Sequence, residues 1–256
     1  MNLRFITIFK IIPLVAAAAQ LRVADPVGLA QQAREIALLD RAQAQVLLGE
    51  AVAIYDKQGA KTSEAASAKL LLAMVLYPAL AKNKEALETR VEPLARQALE
   101  IRRGDPDTKS ADMALALEFE SMVLEAAGRL EDSRPLKAKA REIRDQVIIA
   151  IQPPAEDIMR PYHLGGPEVT PPRLTARGED PRLTFEAKLV GVLPNVMAEV
   201  IIGADGMMHQ IEIFRPAGFG LDEEAVQALL KWKFLPAKKD GVPVAVEGNL
   251  SIRFLP

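Results

Sequence analysis

The period of the hydrophobic positions changes twice along this chain. Between residues 27 and 152 apolar side chains recur at helical spacing, with Leu94, Ala98 and Ile101 in one stripe and Leu136, Ala140 and Ile143 in another. The residues between them are mostly Ala, Glu, Lys, Arg and Gln, which lose little side-chain freedom in a helix. Thr62-Ser63, Asp107-Thr108 and Asp132-Ser133 are N-cap candidates, and Pro93 and Pro135 suit a first helical turn. Gly59, Gly104 and Gly128 mark helix ends. From 153 to 182 the pattern is lost among Pro153, Pro154, Pro161, Pro167, Pro171, Pro172 and Pro181, which exclude helix, disfavour strand and predict a partly extended linker.

From 183 onward the period is two. VMAEVII at 196–202 and the alternation of His209, Ile211 and Ile213 predict two strands joined at Asp205-Gly206, a hairpin signal. A helix is expected from Leu221 to about Trp232, with Asp222 as its cap and Ala225, Val226, Leu229 and Leu230 as its buried stripe. Glu223 and Glu224 favour the positive end of that helix. Asp240-Gly241 then turns the chain into a last strand. Val242, Val244, Val246, Leu250, Ile252 and Phe254 share one face of it, and Glu247, Asn249, Ser251 and Arg253 share the other. Gly248 interrupts the apolar row and predicts a bulge. The expected fold class is α+β: an all-α domain at 25–152, a Pro/Gly-rich linker at 153–182, and a small antiparallel sheet with a helix across one face at 183–256.

The first 24 residues are different again. Arg4 and Lys10 precede an apolar run that ends in alanines, as in a signal peptide cut near Ala19/Gln20. The apolar run is shorter than the roughly 20 residues a membrane span needs. A retained anchor and a buried helix are the alternatives. Cleavage implies an exported, periplasmic protein, and retention implies an inner-membrane anchor facing the periplasm. Cysteine is absent, so folding there does not rely on disulfides.

Within the helical half, VEPLARQALEIR at 91–102 returns as SRPLKAKAREIR at 133–144, a period slightly over 40 residues. Together with the turn LEAAGRLEDS from Leu124 to Ser133, this resembles a degenerate tetratricopeptide repeat of the longer form found in kinesin light chain, over roughly 49–150. Tyr77-Pro78 interrupts one of the first helices. A plain helical bundle shares the same periodicity and is the alternative. The repeat would offer a concave face to another protein.

The C-terminal half carries a second resemblance. Asp205-Gly206, Gly220-Leu221-Asp222, Ala225, Trp232-x-Phe234-x-Pro236-Ala237 and Asp240-Gly241-x-Pro243-Val244 are spaced as in the C-terminal domain of the energy transducer TonB family. PPRL at 171–174 resembles the lead-in found before that domain. The family has a short helix ahead of its first strand, whereas FEAKLVGVLPN at 185–195 reads as strand and turn. The resemblance implies a non-enzymatic protein that recruits a peptide from an outer-membrane transporter as an added strand. An exposed sheet edge is required for that, and the last strand is the candidate, with Val244, Val246, Glu247, Ser251 and Arg253 along it. The anchored alternative is an inner-membrane energy transducer. A family anchor bears Ser and His, and residues 5–21 contain neither.

Composition narrows the chemistry further. Lys and Arg number 32 against 34 Asp and Glu, so there is no basic footprint for nucleic acid. His163 and His209 are the two histidines; with no cysteine they leave no metal, cofactor or nucleophile-and-base constellation to expect. Asp205, Asp222 and Asp240 are expected to shape turns and a helix start, and Trp232 and Phe234 to cap the sheet–helix core. The partner is a protein or peptide, a second copy of the chain included.

Overall fold

The computed structural model describes residues 25–104, 110–153, 161–163 and 169–254. The expected signal peptide, its cleavage site and the Asp107-Thr108 cap lie outside them. The helical half comprises α1 (Pro26–Ile36), α2 (Arg41–Gln58), α3 (Ser63–Leu80), the single turn α4 (Lys84–Ala86), α5 (Glu92–Arg103), α6 (Ala111–Ala126) and α7 (Leu130–Ile151). A π-helical stretch, Leu87–Val91, joins α4 to α5. Successive helices pack in order: α1 on α2, α2 on α3, α3 on α5, α5 on α6 and α6 on α7. Leu48, Met74, Leu87, Phe119 and Ile143 fill the layer between them. Some polar groups caught inside find partners: Arg102 donates to the hydroxyls of Ser63 and Ser67 at 2.8 and 2.7 Å, while its Nε and the hydroxyls of Tyr55 and Ser121 have none. Lys69 pairs with Asp56 and donates to Gln97. Helix α3 is long and apolar enough to cross a membrane, yet more than half of it is buried among its neighbours as the core helix of this half.

One helix start differs from the sequence pattern. Asp132 and Ser133 lie inside α7, whose N-cap is Arg129, and Asp132 instead pairs with that arginine at 2.8 Å. Pro135 falls within α7, while Pro93 does occupy a first turn. The turn ahead of Pro93 is π-helical, whereas the turn ahead of Pro135 belongs to the helix itself. Helix α3 also runs through Tyr77-Pro78, ending only at Leu80.

The C-terminal half begins with α8 (Phe185–Val190), a helix where strand and turn were expected. Thr184 caps it by accepting from the Ala187 N–H at 3.2 Å, and left-handed Gly191 ends it. Then follow β4 (Val196–Ile202), β5 (Met208–Arg215), α9 (Leu221–Leu229), β6 (Lys233–Leu235), β7 (Ala237–Lys239), β8 (Val242–Val244) and β9 (Val246–Ile252). The central strand β4 pairs antiparallel with β5 on one side and β9 on the other, and α9 lies across β4 and β5. Val196, Val200, Ile211, Val226, Leu229 and Ile252 form the core between. The β4–β9 register runs unbroken from Val196↔Ile252 to Ile202↔Val246, so no bulge sits at Gly248. The irregularities lie in the β4–β5 ladder, between Met197 and Ala198 and between Ile201 and Ile202. The expected last strand is two strands, because the β7–β8 hairpin ends at Val244 and β9 starts at Val246.

The segment read as a linker contributes strands of its own. These are β1 (Tyr162–His163), β2 (Val169–Thr170) and β3 (Arg173–Ala176), which pair with β9, β7 and β6 respectively. Proline forbids a long central strand but tolerates a short edge one, which is what each of these is. Nor are the two halves merely tethered. Helix α8 packs on α3 and α9 on α7, and Ala187, Leu189, Phe219 and Leu221 complete the same core as the helices.

Candidate docking edge

The two flanks of β4 leave two outer edges, on β5 and on β9, and the chain treats them differently. Backbone groups alternate sides along a strand. On β5 the N–H and C=O of Ile211 point outward, and the Gln152 side-chain amide meets both: it accepts from the N–H and donates to the C=O, each at 3.0 Å. Arg141 donates to the Ile213 C=O at 3.3 Å. Both come from the α7 end of the helical half, so the middle of this edge is covered by side chains.

On β9 the first two residues pair in parallel with β1, Tyr162 opposite Val246 and His163 opposite Glu247. The Tyr162 N–H donates to the Ala245 C=O at 3.0 Å. Beyond Glu247 no described strand lies outside β9, so among the described residues the outward backbone of Asn249 and Ser251 has no strand beside it. Of the predicted edge residues, Val246, Glu247 and Ser251 lie on β9, Val244 ends β8, and Arg253 follows the strand end. Tyr162, His163, Arg141 and Gln152 shape the edges as much, and no pattern in the sequence marks them.

The motif residues build the frame behind this edge. Asp205-Gly206 forms the β4–β5 turn. Its Gly206 has φ 80°, its C=O accepts from the Phe234 N–H at 2.9 Å, and a Cβ there would stand 2.0 Å from the Phe234 oxygen. Only glycine permits both the backbone angle and that approach. Asp205 accepts from the Met207 N–H at 2.9 Å and contacts His209 Nε2 at 2.9 Å. Partial burial opposes ionisation of Asp205, but these bonds outweigh it and hold its carboxyl below the ordinary range. Trp232 and Phe234 stand 6.4 Å apart at the edge of the sheet core, and the Arg177 guanidinium covers the indole at 4.8 Å. Pro236 separates β6 from β7, Ala237 is buried, and Asp240 and Gly241, with φ 51° and 82°, form the turn before Val242-Pro243-Val244.

The loop before α9 departs from the expected cap. Gly218, Phe219 and Gly220 are all left-handed, and Gly220 takes the N-cap position. Asp222 does not cap the helix. It reaches back to accept from Ala217 and Gly218 N–H groups at 2.8 and 2.9 Å. Burial pushes its carboxyl up to about 6, against the pull of those two bonds. Leu221 and Ala225 are fully buried behind it.

Beside this loop the two halves share ions. Arg144 on α7 donates to both carboxylate oxygens of Glu118 on α6 at 2.9 Å, and to Glu223 on α9 at 2.7 Å. Burial works against the arginine's charge, and the two carboxylates outweigh it, so its pKa is pushed further up. Glu118 also accepts from the Phe219 N–H at 2.8 Å. The arrangement holds an orientation and offers no nucleophile beside a base.

The domain is thus a three-stranded antiparallel core crossed by one helix, with no described strand beside β9 beyond Glu247. Residues 185–256 match the family described as Gram-negative bacterial TonB protein C-terminal, and that stretch is a TonB C-terminal domain. Over 87 residues the chain is 34% identical to Protein TonB of Vibrio cholerae serotype O1 (strain ATCC 39315 / El Tor Inaba N16961). That match spans 34% of this chain and 36% of the relative, so the chain covers about a third of the relative's length. No solved structure matches the chain.

Proposed function

We propose that this is an exported, non-enzymatic interaction protein that docks an extended segment of a partner by strand addition at the outer edge of β9. An outer-membrane transporter segment is the partner implied by the family. The observation that carries this is the contrast between the edges: β5 is covered in its middle by Gln152 and Arg141, while β9 is open from Gly248 onward among the described residues. A photo-reactive residue at Ser251, in the native host, tests it. Capture of an outer-membrane transport protein from Ser251, and not from exposed Glu50 on α2, is the expected result. Identical capture from both positions, or none, overturns it.

The similarity to a TonB protein favours a second reading, in which the N-terminus is retained and the chain is an inner-membrane energy transducer. Mass spectrometry of the mature protein separates the two. A start near Gln20 in the periplasmic fraction supports the exported form, and a start at Met1 in the inner membrane supports the transducer.

A further inference from the structure

We propose that β1 is an internal occupant of the docking edge, which an incoming strand displaces after seating on the open half of β9. The proposal rests on the docking reading above. Strand β1 already does what a docked peptide would do. Its Tyr162 N–H bonds the Ala245 carbonyl at 3.0 Å, giving backbone affinity. Its side chains set the register: Lys239 lies 4.9 Å over the Tyr162 ring, and His163 Nδ1 stands 2.8 Å from the Glu247 carboxylate.

The hold is slight. The strand is two residues long, Tyr162 is 38% exposed, and the His163 side chain is 87% exposed. Little apolar surface leaves water when such a strand docks. The middle of the β5 edge is covered instead by residues fixed to a 22-residue helix. Asn249 and Ser251 supply the first contacts for an incoming strand, and extension toward Val246 then expels β1. The segment that fits is an extended peptide with a basic or histidine side chain opposite Glu247 and an acidic one near Arg253, by charge complementarity.

A disulfide between positions 163 and 247 tests this in the full chain, which has no cysteine of its own. Neighbouring strands lie about 4.8 Å apart, within the Cα separation a disulfide accepts. In His163→Cys/Glu247→Cys protein, oxidation is expected to slow amide exchange at position 247 at least about tenfold, because local opening of β1 is then forbidden. Equal exchange in both states shows that β1 is held as firmly without the bridge as with it, not slightly, and overturns the proposal. Capture from Ser251 is the second readout. Loss on oxidation with recovery on reduction supports displacement. Equal capture in both states refutes it and leaves docking intact. No capture in either state removes docking itself, and the proposal with it.

Discussion

Gly206 and Gly241 have nearly the same backbone angle, φ 80° and 82°, but different surroundings. A Cβ at Gly241 meets nothing within 4 Å, whereas at Gly206 it strikes the Phe234 carbonyl. Gly241→Ala is therefore expected to cost only the left-handed penalty, about 1–2 kcal/mol. Gly206→Ala adds a backbone clash and is expected to cost at least about 3 kcal/mol. Urea unfolding of the two variants measures the difference. Glu120 behaves in the opposite sense. It is buried between α5 and α6, and burial, then the charge of Glu92, push its carboxyl up to about 7 despite Arg96 and Arg129. A carboxyl raised from its unfolded value of 4.5 binds more protons in the native state, so its contribution to stability falls as pH rises from 4.5 through 7. Glu120→Gln, which cannot ionise, is expected to flatten this slope and raise Tm at pH 8 relative to the parent, with no gain at pH 4.5. Thermal melts across that range are the check.

At the scale of elements, the β5 edge is the instructive case. Gln152→Ala leaves the Ile211 N–H and C=O without their partner, and a cost of about 1–2 kcal/mol with faster exchange of the Ile211 amide is expected. An unchanged exchange rate would show that the helix backbone, not the amide, shields the strand. The alternation on β4 and β9 and both Asp-Gly turns were legible in the sequence, because a period of two and a left-handed turn each leave a local mark. Helix α8 was not. Its six residues are too few to show a 3.6 period, although Thr184 and Gly191 flank it as start and stop. Strands β1, β2 and β3 were hidden for another reason: each is made by a partner far away in the chain, and no local pattern encodes that. The Asp222 cap failed similarly. Left-handed Gly218, Phe219 and Gly220 bring the 217–218 amides back over the helix start, where they capture the carboxylate first.

For the whole molecule, Arg144 is the ionic link between the two halves. It is buried between carboxylates of both halves, and removing it leaves Glu118 and Glu223 without their cation, Glu118 keeping only the Phe219 N–H. Arg144→Ala is expected to cost about 3–5 kcal/mol. Calorimetry is expected to show one transition for the parent and two for the variant, as the helical half and the sheet domain part company. A single transition in both would assign the coupling to the α3–α8 contact instead. The sequence suggested two domains and a tether because the joint is made of side chains, Arg144, Glu118 and Glu223, that sit far apart in the chain and carry no recognisable spacing.

Helix α7 spans 22 residues, about 33 Å. It is the last helix of one half, the clamp on α9 and the carrier of the β5 cover. Tension applied between Asp25 and a strand held on β9 would thus reach the helices both along the covalent chain through residues 153–182 and across the seam where α7 packs on α9 and α8 on α3. While the seam holds it shares that load with the chain, whose β1, β2 and β3 are themselves paired to the sheet, and once Arg144 lets go those short ladders stand next in line.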